Sequence, residues 1–185
     1  TGMIEGISES VSRQAMLAAK DWDQALTLAI NISPVQLRDP WLAQKIVKLL
    51  VETGFPASRL EIEITESALF ENIAVAQSIV LSLKNQGIRI ALDDFGTGYS
   101  SLAHLRALPF DRLKIDKSFV TSILENSESA AIVHAITGLG ASLNLSVTAE
   151  GVERQEIVER LAPMGIGKAQ GWHYGLPMSR AEVEI

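Results

Sequence analysis

Cysteine does not occur in the 185 residues, which excludes a disulfide framework and any thiolate metal site and fits a reducing cytoplasm. Positive charge is in short supply: 16 Lys and Arg against 22 Asp and Glu leave a formal net charge of −6. A duplex-binding surface needs a basic stripe to neutralise phosphates, so general duplex nucleic-acid recognition is excluded. A small phosphodiester whose charge is met by bound metal is not. No apolar run approaches the length of a membrane span, and no signal-peptide pattern opens the chain. Low-complexity tracts and interdomain linkers are missing too. Gly96-Thr97-Gly98 has neither a P-loop lysine nor a full dinucleotide fingerprint around it, which argues against a nucleotide-cofactor cradle. Thr1-Gly2-Met3-Ile4 does not look like a natural start, and the chain reads as a fragment.

What remains is one domain of ordinary size, with 47% hydrophobic and 21% charged residues. Short β-like runs alternate with amphipathic stretches. The first helix is expected over residues 4–20, with Ile4, Ile7, Val11, Ala15 and Leu17 near one side. Further helices are expected over 40–53, 72–86, 128–143 and 153–162, and a short one after Ser100. Strands are expected over 26–31, 60–66, 88–92, 112–116, 146–150 and 168–172. Six strands alternating with helices signal parallel βαβ units, in either an open doubly wound sheet or a (β/α) barrel. Both concentrate function at the carboxyl ends of their strands.

The polar residues follow that rule. Asp93 and Asp94 end the run Ile88-Arg89-Ile90-Ala91-Leu92 and lead into a glycine-rich turn, placing two hard oxygen ligands at a sheet rim. Alone, such a pair is as readily a helix cap. Asn31, Glu63 and Glu150 stand at or near other strand ends. Closure into a barrel gathers them on one rim, whereas an open sheet spreads them along a line; the barrel is therefore favoured. Glu61 and Glu63 share a face by the two-residue strand period, and an unpaired inward carboxylate is costly, so a metal is the simplest compensation. Lys114, between Leu113 and Ile115, points inward likewise, either as an ion-pair partner or as a group that orients water and phosphate.

Six motifs occur in order: Asn31-Ile32-Ser33-Pro34, Glu61 through Glu66, Asp93 through Ser101, Lys114 through Phe119, Ala149 through Glu153, and Gln170-Gly171-Trp172. Their series resembles the EAL-domain family, bacterial cyclic di-GMP phosphodiesterases, over essentially the whole of residues 1–185. The resemblance implies an α/β fold, a TIM-like barrel with one strand reversed. It also implies metal-dependent hydrolysis of cyclic di-GMP to linear pGpG, with two Mg²⁺ or Mn²⁺ ions. By motif, Asn31, Glu63, Asp93, Asp94 and Glu150 become metal ligands. Lys114 and Glu150 become catalytic groups, Gln170 and Glu153 approach the substrate, and Glu66 fixes the loop after Asp93. A homodimer through Ser100, Leu102 and Leu105 is implied, although those leucines read equally as a buried helix face. The parent protein is expected to be cytoplasmic or tethered to a membrane through other domains, with an upstream GGDEF or sensor domain. The Glu-Ala-Leu tripeptide itself is absent. By comparison with the family, the N-terminal strand pair is missing, along with a glutamate ligand and an arginine that grips phosphate. The chain as written is then expected to be inactive or poorly folded unless another segment or a partner chain fills the gap. The competing expectations are a silent cyclic di-GMP receptor or scaffold, and a different two-metal phosphohydrolase. His173 is expected at a packing or surface position rather than on a metal.

Overall fold

The structure is a computed structural model that describes residues 2–98, 102–179 and 182, and the side chains of these except 2–5, 70 and 102–104. The strands follow one another in chain order, β1 to β6. The chain divides into two compact units, residues 1–90 with 179–185, and residues 91–178.

The first unit holds α1 (Gly2–Ala19), β1 (Leu28–Ile32), α2 (Pro34–Leu37), α3 (Leu42–Thr53), β2 (Leu60–Thr65), α4 (Glu66–Glu71), α5 (Ile73–Asn85) and the first two residues of β3 (Arg89–Phe95). Strands β1 and β2 pair in parallel with unbroken register, from Leu28 opposite Leu60 to Ile32 opposite Ile64. Leu42, Ala43, Ile46, Leu49, Leu50 and Thr53 recur at helical spacing along α3 and are buried. Gly54 ends this helix in the left-handed region, φ 67°, and returns its N–H to Leu50 O at 2.9 Å. Ser33-Pro34, just past the strand expected over 26–31, opens α2. Ser33 caps it in a reciprocal box with Gln36, and Pro34 takes a first-turn position where an N–H is not needed.

Helix α1 corrects an expected core face. Ile7, Val11 and Leu17 are exposed, whereas Ser12, Met16 and Ala19 form the buried stripe. Four- and three-residue steps connect that stripe, and its polar member hid it from a hydrophobic count. The buried Arg59 guanidinium donates to Ala19 O, Lys20 O and Leu26 O at 3.0, 3.2 and 2.9 Å. It thereby takes up carbonyls that the end of α1 leaves open and fixes the approach to β1.

The second unit holds the rest of β3, α6 (Leu102–Ala107), β4 (Arg112–Ile115), α7 (Lys117–Thr121), α8 (Ser127–Leu143), β5 (Ser146–Ala149), α9 (Gln155–Leu161) and β6 (Lys168–Ala169). Its strands are parallel, with Arg112 opposite Ser146, Ile115 opposite Ala149, and Ala149 opposite Ala169. Leu92, Leu113, Ile115, Val133, Ala149, Val152 and Ile157 form its core. Asn126 caps α8 through Glu128 N at 2.8 Å, and Asn144 ends it at φ 56°. Gly140 lets α8 approach β5, since a Cβ there would lie 2.4 Å from Val147 Cγ2. Three expected elements are altered. Short helices α4 and α7 fill stretches read as strand end and loop, and β6 stops after two residues where five were expected.

Candidate metal centre

Consecutive strand residues point to opposite faces, so Asp93 and Asp94 would ordinarily part company. The register shows why they do not. Leu92 pairs with Leu113 and Phe95 with Ile115, leaving two residues of β3 opposite Lys114 alone. This is a β-bulge, the device that re-aims side chains beside a site. Asp94 carries its strain at φ 53°, in the left-handed region that aspartate tolerates better than most residues. Its N–H donates to Asp93 Oδ1 at 3.0 Å, and its own carbonyl accepts Thr97 Oγ1–H at 2.9 Å.

Lys114 and Glu150 complete the arrangement from the next two strands. Lys114 is 3% exposed, with its Nζ 2.6 Å from Glu150 Oε1 and 3.4 Å from Asp93 Oδ1. Glu150 follows the last residue of β5 and is tied to β4 through its N–H on Ile115 O. Carboxylate oxygens of Asp93, Asp94 and Glu150 lie within 4.8 Å of one another. Burial pushes the Asp94 carboxyl up, with the negative charges of Asp93 and Asp116 adding to it. Burial also works against the charge of Asp116, but side-chain and backbone hydrogen bonds from Ser118 outweigh it and hold that carboxyl low.

The other expected residues fall as follows. In the first unit, Asn31 and Glu63 stand opposite each other on β1 and β2, Asn31 exposed and Glu63 buried. Glu61 is buried two residues before Glu63, and Glu66 is buried at the start of α4. In the second unit, Gln170 is exposed at the end of β6, its N–H on Ala149 O at 2.9 Å and its carbonyl accepting from Val152 N. Glu153 is exposed just beyond that contact. His173 is exposed, edge-on to Tyr174 at 5.0 Å between ring centroids, a surface position. Of the residues named for a dimer, Leu105 is buried in its own unit, while Ser100 and the side chain of Leu102 lie outside the described residues. Sequence reasoning gave Asp116 no role. Its signal was the two-residue period from Lys114.

Parallel strands in chain order, with carboxylates and a buried ammonium at their carboxyl ends, define an α/β protein of the TIM-like class. Residues 1–177 match the EAL domain family. The bifunctional diguanylate cyclase/cyclic di-GMP phosphodiesterase MucR of Pseudomonas aeruginosa is 37% identical over 96% of this chain and 27% of its own length. The cyclic di-GMP phosphodiesterase PdeR of Escherichia coli is 38% identical over 86% of this chain and 24% of its own length. Among solved structures, the PaMucR phosphodiesterase in complex with c-di-GMP superposes with a TM-score of 0.95 at 36% identity, covering 99% of this chain and 76% of that one. Klebsiella pneumoniae BlrP1 with manganese and cy-diGMP gives 0.81 at 28% identity, covering 90% of this chain and 43% of that one. The chain belongs to the EAL domain family, and its fold is the TIM-like α/β fold of those structures. It spans about a quarter of the length of curated relatives such as these.

Proposed function

We propose that the protein hydrolyses cyclic di-GMP to linear pGpG with the help of two divalent cations, Mg²⁺ or Mn²⁺. The observation that carries this reading is the bulge that turns Asp93 and Asp94 towards Glu150, with Lys114 buried among them. The names of its relatives and the cyclic di-GMP in homologous structures supply the substrate. Bound cations would polarise the phosphate and lower the pKa of an attacking water. Asp93, Asp94 and Glu150 are assigned to hold them, with Asn31 and Glu63 as further ligands. Lys114 neutralises charge at the phosphate and orients the nucleophile, while Glu150 doubles as a catalytic carboxylate. Gln170 and Glu153 meet the substrate, and Glu66 steadies the loop after Asp93. The parent protein is proposed to work in the cytoplasm as a homodimer with a GGDEF or sensor domain upstream; MucR is itself bifunctional. Among the described residues, no helix is long and apolar enough to cross a membrane.

The test is a chromatographic assay of cyclic di-GMP incubated with the full-length protein. Conversion to pGpG is expected with Mn²⁺ or Mg²⁺, and none in EDTA or after Glu63→Gln. Ligand bound but never cleaved would make the protein a receptor, and faster cleavage of another phosphodiester would overturn the substrate.

A further inference from the structure

Ser12 belongs to the buried stripe of α1 and is 8% exposed, yet it is too small to fill its place. It lines a cavity of about 210 Å³ within the first unit, whose apolar walls are Met16, Ile30, Ile32, Ile46, Leu49 and Ile62. Ile30 and Ile62 alternate with Asn31 and Glu63 along β1 and β2. The cavity therefore lies on the face of these strands opposite the proposed cation ligands. Its mouth is polar, and the groups there are already matched. Gln36 Nε2 donates to Ser8 Oγ at 2.9 Å, Lys45 pairs with Asp39 at 2.7 Å, and Arg13 pairs with Glu9 at 3.1 Å. Ser12 differs: among the described residues, its hydroxyl has no hydrogen-bond partner.

We propose that this cavity binds a small uncharged molecule with an apolar body and one hydrogen-bonding group, which the Ser12 hydroxyl meets. Size, charge and polarity each narrow the ligand. An apolar cavity of roughly 150 Å³ holds benzene, and pockets for drug-sized ligands begin at roughly 300 Å³. The volume here suits two fused rings. The charges at the mouth are taken up by opposite charges, so an ionic ligand would have to break a pair. A buried hydroxyl left unpaired costs free energy, and a ligand that donates to it recovers that cost. Water is the weaker occupant, because it takes about two to four polar partners and the walls behind the mouth are apolar.

Indole is the probe, titrated calorimetrically into the full-length protein in EDTA, so that cations play no part. Indene has the same shape without the N–H. Indole is expected to bind at one site, and indene about two- to tenfold more weakly, the worth of one hydrogen bond. Ser12→Ala keeps the space and is expected to bring indole down to the affinity of indene. Ser12→Leu fills the space and is expected to abolish binding of both, with a melting temperature no lower than that of the wild type. Should Ser12→Leu fail to fold, the Ser12→Ala comparison decides. Three results would overturn the proposal: no indole binding by the wild type, indole binding that survives Ser12→Leu, or a preference for indole over indene that Ser12→Ala leaves unchanged.

Discussion

At the scale of single residues, the site is a balance between like charges and the Lys114 ammonium set among them. Lys114→Met would leave Asp93 and Glu150 without that ammonium in a mostly buried place, at a cost of about 3–5 kcal/mol in cation-free protein. Chemical denaturation in EDTA measures this loss, and Mn²⁺ is expected to restore part of it. Asp94 works in the opposite direction. Its carboxyl is raised in the folded, cation-free protein, so its contribution to stability is complete below the ordinary carboxylate range and is lost as pH rises through the raised value. Asp94→Asn keeps a side chain that tolerates positive φ. In EDTA at neutral pH it is expected to melt higher than wild type. With Mn²⁺ present the order should reverse, because the wild type gains a ligand-linked stabilisation that the variant lacks. Most of these residues were legible because strand ends, apolar flanks and charge can be read from order alone. Asp116 was not, because its charge bears on Asp94 only once β3 and β4 are paired through the bulge.

At the scale of elements, boundaries were legible where a residue has one conformational use. Gly54 and Gly87 stand just past the helices expected over 40–53 and 72–86, at φ 67° and 81°. The bulge was hidden, since no local residue type announces the extra position in β3; it is a property of the pairing with β4. The buried stripe of α1 was misread because burial against α3 selected Ser12 and Met16 over the larger apolar count on the other side. Two element-level predictions follow from contacts in the second unit. Gly171 passes so close to Val152 that a Cβ would lie 2.2 Å from its carbonyl oxygen and 2.4 Å from its nitrogen. Gly171→Ala must push apart the strap that holds Gln170 beside β5, with an expected loss of about 1–3 kcal/mol and weaker nucleotide binding by calorimetry. Asn126→Ala removes the cap of α8, remote in sequence from the acidic cluster. It is expected to cost about 1 kcal/mol in urea unfolding while Mn²⁺ affinity stays unchanged.

At the scale of the whole molecule, alternation of strands and helices gave the α/β class but left open and closed sheets both standing. The polar residues gathered at strand ends favoured the barrel, and the superposition over 99% of the chain bears out the TIM-like fold. The central claim is that Asp93, Asp94 and Glu150 are held together to bind divalent cations. Anomalous diffraction from crystals of the full-length protein grown in Mn²⁺ tests it most directly. The account predicts a strong manganese peak in contact with oxygens of all three carboxylates. Ordered carboxylates with no peak among them, at a manganese concentration that supports turnover, would contradict it.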